Sequence, residues 1–172
     1  MKRNWDIMLS ELAYMLEAHS FECEMFFDLE EWSVYPCSNY MGEDDCFYPI
    51  EGHHVIQVFP IESRLSFSIM ENFLDTLPHD EPLLPQLTHA LNKRHPFRHF
   101  KAIVHQSPLR PAWLAFHEER MKEHAKQWLK DNEISIDDHG NLTSPKAWPF
   151  NRKEYFEDYD QSLFFNNEPD ET

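Results

Sequence analysis

Residues 24–35, Glu24-Met25-Phe26-Phe27-Asp28-Leu29-Glu30-Glu31-Trp32-Ser33-Val34-Tyr35, carry two short runs of strand-forming side chains around an acidic turn. Glu24 to Phe27 and Trp32 to Tyr35 are rich in aromatic and β-branched residues, and Asp28-Leu29-Glu30-Glu31 joins them as a tight reversal. A third run, Val55 to Phe59, is apolar enough for a central strand, and Pro60 stops it. Between these strands, residues 36–52 hold two prolines, two glycines and three acids in a row, the composition of a surface loop.

Helical periodicity surrounds this sheet. Upstream, Trp5, Met8, Leu9, Leu12 and Leu16 predict an amphipathic helix over residues 3–18. Downstream, Leu65, Ile69, Phe73 and Leu77 mark a helix that starts at Ser63 and ends at Pro78. Asp80 is expected to cap a short helix bearing Leu83, Leu84, Leu87 and Leu91, with Pro85 as a kink. Pro96 opens a further helix with Phe97, Phe100 and Val104 on one face. Ser107-Pro108 signals the last long helix, to about Asn132, its start delayed by Pro111; Trp113, Leu114, Met121, Ala125, Trp128 and Leu129 point inward. The fold class is therefore α+β: an N-terminal helix and a small antiparallel β-sheet followed by a C-terminal helical subdomain. Residues 1–134 are expected to form one domain, and residues 135–172 an acidic, aromatic-containing tail.

Composition excludes several functions. The 172 residues include only three glycines, Gly42, Gly52 and Gly140, too few and too scattered for a dinucleotide fingerprint or a Walker-type phosphate loop. Hydrophobic residues at 41% and charged residues at 27% describe a globular chain. No apolar run approaches the roughly 18 residues of a membrane span. Asp6, Glu11 and Glu17 interrupt any signal-peptide core after Met1-Lys2-Arg3, and three cysteines are too few for a disulfide framework. A cytoplasmic protein with no membrane partner is expected. The net charge of −16 disfavours non-specific binding of the whole molecule to nucleic acid. That charge is uneven, however: residues 93–130 hold nine basic and three acidic residues in an otherwise acidic chain.

On one continuous helix, Arg94, Arg98, Lys101 and His105 share a face, opposite Phe97, Phe100 and Val104. Such a stripe is either a contact surface for phosphates or an acidic partner, or the solvated side of an amphipathic helix neutralised by the chain's own acids. On the last helix, His117 and His124 fall in the apolar arc with Arg120 at its edge, a candidate buried polar site. Two turns separate the histidines, about 10 Å, too far for one metal ion. Cys37, Cys46, His53 and His54 match no short zinc-knuckle spacing, so no metal and no cofactor are expected.

Catalytic signatures are missing: there is no G-x-S-x-G elbow, no H-E-x-x-H pair and no zinc-deaminase pattern. Acid pairs such as Asp44-Asp45 and Asp137-Asp138 read as solvated loop residues rather than Mg²⁺ ligands. The tail keeps Trp148, Phe150, Tyr155, Phe156, Tyr159, Leu163, Phe164 and Phe165 among its acids. Phe156, Tyr159 and Leu163 share a helical face, the pattern of a helix-in-groove ligand or of a segment folded over its own domain.

Several stretches also carry a resemblance. Ile69-Met70-Glu71-Asn72-Phe73, Ala90-Leu91, Phe97-Arg98-His99-Phe100-Lys101, Trp113 with Phe116, and Trp128-Leu129 ending at Ile134 together resemble the uncharacterised bacterial family UPF0158. The turn Phe27-Asp28-Leu29-Glu30-Glu31 is similar to that family's early strand–turn–strand. The resemblance spans about residues 20–134 and implies no established activity. It implies small or glycine residues before the F-R-x-F-K core, where this chain has Lys93, Arg94, His95 and Pro96, and a glycine where Trp32 stands. The function expected from the residues is a non-catalytic module that binds another protein through its acidic surface or tail. The alternatives are a nucleic-acid-associated factor using the 94–105 stripe and, more weakly, a hydrolase with an unrecognised site.

Overall fold

The computed structural model describes residues 4–18, 23–38 and 47–157. In chain order the elements are α1 (Trp5–Glu17), β1 (Glu24–Asp28), β2 (Ser33–Cys37), β3 (His54–Val58), α2 (Ser63–Thr76), α3 (Leu84–Leu91), α4 (Pro96–His105), α5 (Arg110–Asp131), β4 (Ser135–Ile136), β5 (Leu142–Thr143) and β6 (Trp148–Pro149). The α+β reading holds: one antiparallel sheet follows the first helix, and α2 to α5 follow the sheet's third strand.

The main sheet has the order β2-β1-β3-β6. Phe26 lies opposite Tyr35 on one side and Gln57 on the other, and Val55 lies opposite Trp148. Pro36 and Pro149 both sit in the two outer strands, where a residue without an N–H breaks no ladder between strands. The β1–β2 reversal is built by Asp28. Its Oδ1 accepts the backbone N–H groups of Glu30 and Glu31, both at 2.9 Å, and its carbonyl accepts that of Trp32 at 2.9 Å. Closing the turn forces Trp32 to a φ of 60°, the left-handed region.

Alternation along the strands feeds two cores. Met25, Phe27, Ile56 and Val58 face the helices and join Leu12 and Leu16 of α1 with Met121, Ala125 and Leu129 of α5. Phe27 meets the Trp128 ring edge-on at 5.7 Å. On the opposite face Phe26, Cys37 and Val55 pack with Phe150, flanked by Tyr35, Tyr48 and Tyr155. This double coverage explains why four of the five β1 residues are buried in a row. At the far end of the helical layer, Phe73, Phe100 and Trp113 tie α2, α4 and α5 together at centroid separations of 5.0–6.4 Å.

Helix ends follow local chemistry, with some departures from expectation. Asn4 caps α1, its side-chain oxygen accepting Asp6 N–H at 2.9 Å. Asp80 does not cap α3; that helix begins at Leu84 with Pro85 in its first turn, where proline fits without a kink, and Glu81 accepts Leu83 N–H at 3.2 Å. Leu114, expected to point inward, is 45% exposed, whereas Trp113, Met121, Ala125 and Leu129 of the same helix are buried. The end of α5 is a Schellman turn: Ile134 N–H donates to Leu129 O and Glu133 N–H to Lys130 O, both at 2.9 Å, with Glu133 at φ 53°.

Beyond Ile134 the chain forms the β4–β5 hairpin around Asp137, which accepts His139 and Asn141 backbone N–H groups at 2.9 and 2.8 Å. These bonds, chiefly those from Asn141, hold the Asp137 carboxyl below its usual range. The chain then adds β6 to the main sheet and buries Phe150 beneath it. Residues 135–150 thus run back onto the domain rather than away from it. Asp44 and Asp45 lie outside the described residues.

Candidate functional site

The beginning of α4 is set by two residues. Pro96 takes the first helical position, and a residue before proline is driven out of the right-handed helical region; His95 adopts φ 61° and ψ 55°. Arg94 therefore does not share the helical ladder of Arg98, Lys101 and His105, which corrects the four-residue stripe. Arg94, Arg98, Lys101 and His105 are all exposed, and the last three lie on one face of α4. The opposite face buries Phe100 and Val104.

Lys101 is not an idle cation. Its Nζ lies 3.3 Å from Glu17 Oε1 at the end of α1, and His117 Nε2 approaches the same oxygen at 3.2 Å. The His117 contact first, and Lys101 after it, hold the Glu17 carboxyl down at about 2 despite its partial burial. This Glu17 knot pins α4 and α5 to the last turn of α1. Beside it opens a cleft of about 390 Å³, lined by Tyr14, Glu17, Ala18, Ser63, Ser66, Phe97 and Lys101. Tyr14 and Phe97 supply its apolar walls, and Tyr14 is 71% exposed. The Ser66 hydroxyl is buried at its wall with no hydrogen-bond partner among the described residues. Arg64, next to Ser63 in the first turn of α2, is exposed.

The remaining predicted residues separate. His117 joins the Glu17 knot and packs on the Trp113 ring at 5.1 Å. Arg120 turns instead to Glu123, at 2.9 Å, and lies over the Phe116 ring at 5.4 Å. His124 is half-buried two turns along α5. Phe156 packs against Tyr48 and Tyr155 at 5.5 and 5.6 Å, on this domain's own aromatic cluster. Burial first, and the Glu24 carboxylate second, push the neighbouring Tyr155 phenol above its ordinary range. Tyr159 and Leu163 lie outside the described residues.

Sequence reasoning missed the cleft because its walls come from three helices. One signal was present: Tyr14 stands off the apolar stripe of α1, where a large aromatic has no core to fill.

A family model described as "Uncharacterised protein family (UPF0158)" matches residues 51–150, more than half of the chain. The chain belongs to this family. The UPF0158 match begins before β3 and runs past Ile134 to Phe150, so it includes β6 but not the β1–β2 turn. A relative, the UPF0158 protein PA5073 of Pseudomonas aeruginosa, is 29% identical over 136 residues, which is 77% of this chain and 86% of that protein. No solved structure matches. Among the described residues, no helix is long and apolar enough to cross a membrane.

Proposed function

We propose that this UPF0158 chain is a non-catalytic cytoplasmic binding module whose partner is another protein, presenting an acidic segment with apolar side chains to the α1–α2–α4 cleft. The observation that carries the reading is the pairing of apolar walls, Tyr14 and Phe97, with Lys101 in the lining, half-exposed beside its Glu17 partner, and with exposed Arg98 and Arg64 next in sequence to the lining residues Phe97 and Ser63. An acidic, aromatic-bearing peptide complements both features: its side chains fill the cleft while its carboxylates meet these cations. The unpaired Ser66 hydroxyl offers one directional contact at the wall. The sequence points to the acidic surface or the tail as the binding surface; the cleft is preferred in this proposal, and the engagement of Phe156 with Tyr48 and Tyr155 supports that preference over the tail.

A photocrosslinking amino acid at position 14, with a second at Trp148 as control, tests it in cells. The expected result is a discrete protein adduct from position 14 only, lost when Arg98→Glu is added. Adducts identical from both positions, or unaffected by Arg98→Glu, overturn it.

The exposure of Arg94, Arg98 and His105 favours a second reading, nucleic-acid association through the α4 edge. It predicts single-stranded RNA or DNA binding that falls steeply with salt and is lost in the triple variant Arg94→Ala, Arg98→Ala, Lys101→Ala. Absence of binding at low salt eliminates it.

A further inference from the structure

On the sheet, at residues that do not line the cleft, two carboxylates and an imidazole converge at the end where β1 turns into β2. Asp28 closes β1, Glu30 sits in the turn, and His53 immediately precedes β3, the antiparallel neighbour of β1. Asp28 is completely buried. Its Oδ1 is already engaged by the Glu30 and Glu31 backbone N–H groups, which leaves Oδ2 directed at His53 Nδ1, 2.9 Å away. Glu30 is positioned in its turn by the His54 backbone, whose N–H donates to Oε2 at 3.0 Å, while Oε1 faces His54 Nδ1 at 2.9 Å.

One ligand atom from each of Asp28, Glu30 and His53 lies within 4.8 Å of the others. In a tetrahedral zinc shell, ligand atoms about 2.1 Å from the ion stand about 3.4 Å apart, so a small rotation of Glu30 or His53 closes the set. We propose that Asp28, Glu30 and His53 form a binding site for a divalent transition-metal ion.

The chemistry of the donors supports this in three respects. First, a hydrogen-bonded His–Asp pair alone would account for two of the residues; Glu30 supplies the third ligand. Second, the carboxylates are already oriented by backbone N–H donors, the outer-shell arrangement that fixes metal-ligating carboxylates. Third, the group is half-open: the Asp28 side chain is fully buried, whereas the His53 side chain is 24% and the Glu30 side chain 38% exposed, which gives an ion a route in from solvent. A mixed nitrogen–oxygen set of three protein ligands with an open position suits Zn²⁺ and other first-row ions over Mg²⁺, which prefers oxygen donors and retained waters. The ion takes the place of the hydrogen bond between His53 Nδ1 and Asp28 Oδ2, the imidazole coordinating through Nδ1 and carrying its ring proton on Nε2.

The site could not be read from the chain, because Asp28 and His53 lie far apart in sequence and only the β1–β3 pairing unites them.

The test is calorimetric titration of the full chain with Zn²⁺ alone, followed by the visible spectrum of the Co²⁺-loaded protein. With eleven histidines in the chain, weak surface binding is expected in addition, so the variants decide. One tight site per chain is expected, weakened about 100-fold by His53→Gln and about 10-fold by Glu30→Gln, and unchanged by His99→Gln. Asp28→Asn removes a turn-building carboxylate and is interpreted only if its circular dichroism matches the parent; His53→Gln keeps the test independent of it. Absence of a site of unit stoichiometry, or one that persists in both His53→Gln and Glu30→Gln, overturns the proposal.

Discussion

His117, in the middle of α5, points its Nε2 at Glu17 Oε1 in the last residue of α1, 3.2 Å away. The Glu17 carboxyl is held at about 2, well below the ordinary 4.5, by His117 first and Lys101 after it. A depressed carboxylate stabilises the folded state above its unfolded value and ceases to do so as pH falls toward its folded value. Glu17→Gln should therefore cost about 1 kcal/mol at neutral pH, after allowing for solvent screening of a partly exposed group. That cost should shrink as pH drops from about 4.5 toward about 2. Urea unfolding of parent and variant across this range measures it; a difference constant with pH would refute the assignment.

His95 offers the opposite sign. It holds φ 61° without a glycine, at the loop where the family resemblance implies small or glycine residues. A side chain in the left-handed region costs about 1–2 kcal/mol, partly offset by the greater unfolded freedom of glycine. His95→Gly should raise stability by about 0.5–1 kcal/mol, read as an upward shift in Tm.

Trp32 holds the same backbone region at φ 60°, but its ring meets Trp5 edge-on at 6.0 Å and packs against the main core. Trp32→Gly should relieve the backbone yet lose about 1–2 kcal/mol net, because the aromatic packing outweighs the strain. Thermal melts of the two glycine variants should move in opposite directions.

Phe150 is 3% exposed beneath the sheet, against Phe26 at 5.8 Å. Phe150→Ala should destabilise by about 3–4 kcal/mol. A chain ending at Ile134 lacks β6 and this ring, and should unfold at lower urea concentration than Phe150→Ala does. Equal midpoints would mean that the segment after Ile134 contributes nothing beyond one side chain.

The fold was legible where a single element carries its own periodicity. Met8, Leu12 and Leu16 spell α1, and the Phe26–Phe27 pair spells a strand with both faces covered. What covers the second face was not legible, because Trp148 and Phe150 sit among prolines and basic residues with no alternation, and β6 has only two residues. Arg94 looked helical because periodicity counts positions without regard to φ, and His95 breaks the ladder ahead of Pro96. The cleft and the Asp28–Glu30–His53 group are products of tertiary assembly, so their residues carry ordinary local signals.

The packing of α1 on α5 has a consequence for how the chain is made. α1 is synthesised first, yet its apolar face of Met8, Leu9, Leu12 and Leu16 finds its helical partner only after Arg110 to Asp131 has been translated. At ribosomal rates that interval is on the order of 10 s, far longer than a helix takes to form. Until then that face has only Met25, Phe27, Ile56 and Val58 of the sheet to pack against, so a chain stopped short of α5 leaves α1 half-covered, and a helix of 13 residues is marginal without its tertiary partners.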